Sequence, residues 1–170
     1  MIIVINGPLG IGKTEVSWHL VEKFNPGVML DGDYISALHP FDYSNAAQLD
    51  YAYDTFRVLV SHHIAHAIQD FIINWVFETP AQLARLCHLF KDRNVPILAY
   101  RLVCSMDEIE RRVRKRGLPQ VETEVQRARQ LVGILDSAAV TGDLGHVVDT
   151  TTLTSTAVAD IIWQHAQTNR

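Results

Sequence analysis

The sequence predicts an α/β fold of three layers, with helices on both faces of a central, mainly parallel, five-stranded sheet. Three observations predict it. Short β-branched runs alternate with longer helical stretches, the pattern of βαβ units. The runs are apolar without alternation, as strands buried on both faces require. The 170 residues, 48% hydrophobic and 20% charged, suffice to bury a substantial core, so residues 1–170 are read as a single domain.

Met1 to Asn6 is β-branched and reads as the first strand. A glycine-bearing turn leads into a helix from about Lys13 to Phe24, which Asn25-Pro26-Gly27 ends. Val28 to Asp31 is a second strand. Ala46 to Asp70 is mostly helical, with Leu49, Tyr53, Phe56, Leu59, Val60, Ile64 and Ile68 near helical spacing. Phe71 to Phe77 is a third strand. Pro80 suits a first helical turn and starts a helix to about Asp92, with Glu78 or Thr79 as its cap. Val95 to Cys104 is a fourth strand. Ser105 caps a helix from Met106 to about Arg116, with Asp107 and Glu108 in its favourable first turn. A polar helix follows from about Glu122 to Leu135, then a short last strand at His146 to Asp149. Thr154 or Ser155 caps a final amphipathic helix through Val158, Ile161 and Ile162.

Composition narrows the function. It excludes collagen, low-complexity disorder and a disulfide-dense miniprotein. Fifteen Lys+Arg against nineteen Asp+Glu give a formal net charge of -4, so a global basic footprint for nucleic acid is absent. Cys87 and Cys104 are too few for a disulfide framework and read as inert core thiols in a reducing, cytoplasmic setting. No apolar run approaches a membrane span, and the N-terminus reads as a strand rather than a signal peptide.

Gly7-Pro8-Leu9-Gly10-Ile11-Gly12-Lys13-Thr14 matches G-x-x-x-x-G-K-[ST], directly after a predicted strand and opening a predicted helix. Each residue type has a physical reason. Glycines let the backbone wrap closely with its N–H groups inward, as an anion nest. The helix N-terminus adds positive potential where phosphates rest. Lys13 places a point charge on the β- and γ-phosphates, and the Thr14 hydroxyl can ligate Mg²⁺. Gly7, Leu9, Gly10, Ile11, Gly12, Lys13, Thr14 and Glu15 are therefore read as the nucleotide-binding loop.

In parallel sheets ligands bind beyond the carboxyl ends of the strands. Asp31-Gly32-Asp33 ends the second strand there, facing the glycine loop across the strand tips. One carboxylate could hold Mg²⁺ and the other could accept a proton from an attacking hydroxyl. Glu78 closes the third strand and could hold substrate hydroxyls. Arg57, in the long helix, could reach an anionic group of an acceptor, and His39-Pro40 could shape its pocket. Arg111, Arg112, Arg114, Lys115 and Arg116 put five basic residues within six positions. Arg112 and Arg116 share a helix face, and a basic helix end followed by Gly117 suits a lid, with its edge and body at about 111–135. His62, His63 and His66 are read as helix histidines, because the Glu of H-E-x-x-H is missing. Trp18, Trp75 and Trp163 are read as core.

Together these residues resemble the small P-loop kinases of the shikimate kinase, gluconate kinase and chloramphenicol phosphotransferase type, within the nucleoside-monophosphate-kinase-like superfamily. Related proteins are known as AAA-type ATP-binding proteins. The resemblance spans nearly the whole chain. It implies a P-loop NTPase fold, ATP and Mg²⁺ as cofactors, and phosphoryl transfer to a hydroxyl of a small molecule. It implies that Asp31 assists Mg²⁺ and that Asp33 contacts and deprotonates the acceptor. Arg112 and Arg116 match the lid pattern R-x-x-x-R, touching adenine and phosphate, and Asp149-Thr150 would line the adenine pocket. Lys13, Asp33 and Arg116 are then catalytic, and Arg57 and Glu78 join Asp33 at the acceptor. There are departures. Phe56-Arg57 is similar to the shikimate-binding F-R-x-x-E motif, but Val60 stands at the Glu position, and Phe77-Glu78 stands where shikimate kinases carry Gly-Gly. The acceptor is left open.

Two other readings stand beside this one. A nucleotide-dependent switch or ATPase module would turn over ATP slowly, with no stimulation by a small acceptor. A nucleic-acid-end kinase would need a basic groove beyond residues 111–116 and steeply salt-dependent binding. The chain is expected to act as a monomer or homodimer.

Overall fold

The computed structural model describes residues 1–40, 42, 45–93 and 95–169. Its elements run β1 (Ile2–Asn6), α1 (Lys13–Val21), β2 (Val28–Asp31), α2 (Gly32–Ile35), α3 (Ala46–Ala65), β3 (Phe71–Asn74), α4 (Pro80–Leu89), β4 (Ile97–Val103), α5 (Met106–Lys115), α6 (Val121–Thr141), β5 (His146–Asp149) and α7 (Ser155–Thr168). A short 3₁₀ turn, Lys91–Arg93, follows α4.

The sheet order is β2-β3-β1-β4-β5, and every pairing is parallel. β1 is therefore central, and its residues are buried on both faces. Ile3 and Ile5 enter one core with Val16 and Leu20 of α1, Ile109 and Val113 of α5, Val125 and Ala128 of α6, and Val158 and Ile162 of α7. Ile2 and Val4 enter the other, with Tyr53, Phe56 and Val60 of α3 and Leu83 and Leu86 of α4. The period of two along β1 thus divides the molecule into three layers. The apolar face predicted for the long helix is the one that packs: Tyr53, Phe56 and Val60 are buried.

Several boundaries differ from expectation. β3 stops at Asn74, three residues short of Phe77, so Glu78 sits in the following connection rather than on a strand tip. α6 continues six residues past Leu135, to Thr141. A short helix, α2, begins at Gly32 because the Asp31 carboxylate accepts a hydrogen bond from the backbone N–H of Asp33. Trp18 is not core: it is 56% exposed. Trp75 is buried, as expected, and Trp163 meets Phe24 edge-on at 4.9 Å. Cys87 and Cys104 are free thiols and only partly buried. Among the described residues no helix is long and apolar enough to cross a membrane.

Candidate functional site

The turn from β1 to α1 builds the floor of the site. Gly10 has φ 81° and Gly12 has φ 102°, left-handed conformations that side chains with a Cβ disfavour. A Cβ on Gly10 would also lie 2.5 Å from Cγ2 of Val113, so α5 packs directly on the loop. Gly12 is the N-cap of α1 and offers no side-chain hydrogen bond, which leaves first-turn amides of the helix to a ligand. Asn6, the buried last residue of β1, fixes where the loop begins. Its Oδ1 accepts from the N–H groups of Gly7 (2.8 Å) and Phe77 (3.0 Å), and its Nδ2 donates to the Phe77 carbonyl (3.2 Å). One amide thus joins the glycine loop to the connection after β3.

The loop borders a cavity of about 880 Å³. Of the residues singled out in the sequence, Leu9, Gly10, Ile11, Gly12, Lys13, Thr14, Glu15, Asp31, Asp33, Arg112, Arg116 and Thr150 all line it. Lys13 Nζ donates to the carbonyls of Gly7 (3.0 Å) and Pro8 (3.1 Å), which folds its side chain back over the loop. Desolvation of its ammonium lowers the Lys13 pKa to about 8; the carboxylates of Asp33 and Asp31 oppose that shift and Arg116 adds to it. The Thr14 hydroxyl donates to Asp31 Oδ2 at 2.9 Å. Asp31 is buried, and its other oxygen caps α2. Asp33 opens to the cavity, with Oδ1 accepting from the Trp75 indole N–H at 3.2 Å. Partial burial raises its carboxyl pKa, against the lowering pull of Lys13.

Thr14 and Asp31 together offer hard oxygen ligands side by side, the donor set that suits Mg²⁺. No group of three or more His, Cys, Asp or Glu able to hold a metal occurs among the described residues.

Arg112 is deeply engaged. Its guanidinium donates to Glu108 (2.8 Å), to the Ile11 carbonyl (2.9 Å), and to the hydroxyl (3.2 Å) and carbonyl (2.7 Å) of Thr150. Arg116 points into the same cavity with far fewer ties; its ion-pair partner Glu124 stands 4.0 Å away.

Other expected residues lie elsewhere. Arg57 is half exposed, bonds Asp54 on its own helix at 3.2 Å, and does not line the cavity. Glu78 pairs with Arg127 of α6 at 2.5 Å. Thr79, not Glu78, caps α4. The Asp149 carboxylate turns to the N–H and hydroxyl of Thr151 (2.8 and 2.6 Å), leaving only its neighbour Thr150 on the cavity wall. His39 and Pro40 are exposed, as are His62 and His66.

Sequence reasoning missed Asn6, Trp75 as partner of Asp33, Trp18 on the cavity wall, and the α6 residues Glu124 and Arg127. Trp18 was legible: Val16 and Leu20 set the buried face of α1, and a residue two positions from each falls on the other side at 100° per residue.

A parallel sheet whose central strand feeds a G-x-x-x-x-G-K-T turn, with a basic helix beside it, is a kinase-like P-loop fold. The chain belongs to the AAA domain family, whose model matches residues 2–134. Comparison with curated proteins finds no match. Among solved structures it is similar to the tunicamycin resistance protein of Deinococcus radiodurans, with TM-score 0.67 and 21% identity over 97% of this chain and 94% of that one. It is similar to shikimate kinase from Acinetobacter baumannii in complex with shikimate, with TM-score 0.65 and 20% identity over 99% and 94%. It is also similar to a sugar kinase from Janibacter sp. HTCC2649, with TM-score 0.65 and 14% identity over 98% and 94%. At these identities the likeness is one of fold.

Proposed function

We propose that this chain transfers the terminal phosphoryl group of ATP, in the presence of Mg²⁺, to a hydroxyl of a small molecule. One observation carries the reading: Lys13, the Thr14–Asp31 pair and the Trp75-bonded Asp33 converge on one cavity. A nucleotide switch needs the first two. It has no use for a second carboxylate held by an indole N–H on the cavity wall.

The glycine loop and the N-terminus of α1 bind the phosphate chain through backbone N–H groups. Lys13 places its positive charge on the transferring end, and Thr14 and Asp31 would hold Mg²⁺, which would neutralise phosphate charge. Asp33 receives the proton of the acceptor hydroxyl while its oxygen attacks the γ-phosphorus. The bond from that phosphorus to the bridging oxygen breaks, and the electron pair leaves with ADP. Trp75 keeps the Asp33 carboxylate aimed, and Arg116 offsets charge that develops on the phosphoryl oxygens. The end of α5, which brings Arg112, Lys115 and Arg116 to the cavity wall, helps to exclude water.

Screening sugars, sugar acids, nucleosides and aminoglycoside- or phenicol-like alcohols for acceptor-dependent ADP release identifies the substrate. With that acceptor, Asp33→Asn should keep nucleotide affinity and lower kcat by roughly 100-fold or more, the scale of general-base loss. An unchanged kcat removes Asp33 from the chemistry, and ADP release that no acceptor stimulates returns the protein to the switch class.

A further inference from the structure

α5 and α6 lie against each other and are laced by ion pairs. Arg114 reaches Glu110 (2.8 Å) and Glu122 (2.5 Å), and Arg129 reaches Glu110 (2.6 Å). Arg111 and Arg112 are both committed to Glu108. Arg127, one turn beyond Glu124 on α6, is anchored to Glu78. These contacts fix α6 relative to α5 and to the connection after β3.

Within that frame one pair is incomplete. Glu124 is largely buried, and its Oε2 is shielded from solvent with no hydrogen-bond partner among the described residues. The nearest cation is the Arg116 guanidinium, 4.0 Å away, too far for a hydrogen bond. A carboxylate oxygen removed from water without a partner is costly, so a strong pull toward a donor is built in. The donor within reach is the arginine that faces the P-loop cavity.

We propose that Glu124 is a positioning residue for Arg116: its open oxygen takes one guanidinium N–H and aims the remaining donors at the terminal phosphate of the bound nucleotide. The inference rests on the phosphoryl-transfer reading and deepens it. A planar guanidinium presents donors on two edges, so it can bridge a carboxylate and a phosphate at once. About 1 Å of side-chain movement converts the 4.0 Å contact into a bond of ordinary length. α6 is anchored by Val125 and Ala128, buried in the core beside Ile109 and Val113 of α5, so the arginine moves and the carboxylate stays.

The test is calorimetric affinity for ADP and for a non-hydrolysable ATP analogue, each with Mg²⁺, in wild type, Glu124→Gln, Arg116→Ala and the double variant. Glu124→Gln should reduce the preference for the triphosphate by about tenfold, the scale of one charge-assisted hydrogen bond, and leave ADP affinity within twofold. Arg116→Ala should do the same. The double variant should match Arg116→Ala alone, because Glu124 acts only through that arginine. Glu124→Asp, which keeps the charge, should recover part of the preference. A Glu124→Gln chain with wild-type preference, or single losses that multiply in the double variant, overturns the inference and leaves the parent reading standing. A wild-type chain that binds neither nucleotide overturns both. A merely structural role for Glu124 would lower both affinities together.

Discussion

Lys13 sits in the site between opposing electrostatic influences. Desolvation lowers its pKa to about 8 although two carboxylates lie close. Polyphosphate favours the ammonium form, so binding above that pKa must draw a proton from solution. Affinity should therefore be nearly flat well below pH 8, where the free chain is already protonated, and should weaken above it. The slope there approaches tenfold per pH unit until the complex itself titrates. Lys13→Arg should bind less well because the fork does not fit the point-charge position, but its affinity should stay flat over the same range. Calorimetry from pH 6.5 to 9.5 reads both, and a wild-type profile as flat as that of the arginine variant would separate Lys13 from the phosphates. Asp33 shifts the other way. Its raised pKa means that kcat should fall as the solution is acidified and the carboxylate takes a proton in advance of the hydroxyl.

Among the elements, α4 shows how local chemistry fixes the edge of a site. Thr79 Oγ1 accepts from the N–H of Gln82 (3.2 Å), and the Gln82 side chain accepts from the N–H groups of Thr79 (3.2 Å) and Glu78 (2.7 Å). This capping box ends the connection that carries Trp75, Phe77 and Glu78. Thr79→Ala should cost about 1 kcal/mol of stability, read as a lower urea midpoint at unchanged slope, with Thr79→Ser close to wild type. Nucleotide affinity should not change; if it does, the cap is part of the site rather than of its frame. Features of this kind are written in neighbouring residues, which is why β1, the glycine loop, the capped starts of α4 and α5, and the buried face of α3 are legible in the sequence. The features that were not legible depend on distant partners. Nothing near Asn6 indicates that it will bond Phe77, 71 residues on. α2 depends on which oxygen of Asp31 is left over after Thr14 takes the other. The end of β3 is set by where β1 and β2 stop pairing with it, at Asn74.

At the scale of the whole molecule, the two arginines that look equivalent in R-x-x-x-R divide their labour. Arg112 spends four N–H donors on protein acceptors from three places: its own helix, the glycine loop at Ile11, and the end of β5 at Thr150. From 101 residues away in sequence it ties the loop after β1, at Ile11, to the end of the edge strand β5, at Thr150, with no ligand needed. What it still offers a ligand is the face of its guanidinium, a surface suited to a nucleobase. Arg116, with its ion pair open at 4.0 Å and its side chain 43% exposed, contributes little to that frame. The two substitutions should therefore differ in the absence of any nucleotide. Arg112→Ala strips donors from the buried ends of Ile11 and Thr150 and should cost about 2 kcal/mol, lowering the melting temperature by roughly 4–8 °C. Arg112→Lys should recover little of it, since a single ammonium cannot reach four acceptors spread over three places. Arg116→Ala should melt within about 1 °C of wild type, as exposed charges do. Equal melting temperatures for the two alanine variants would mean that the loop is held by its glycines and by Asn6 alone, and that Arg112 is present only for the ligand.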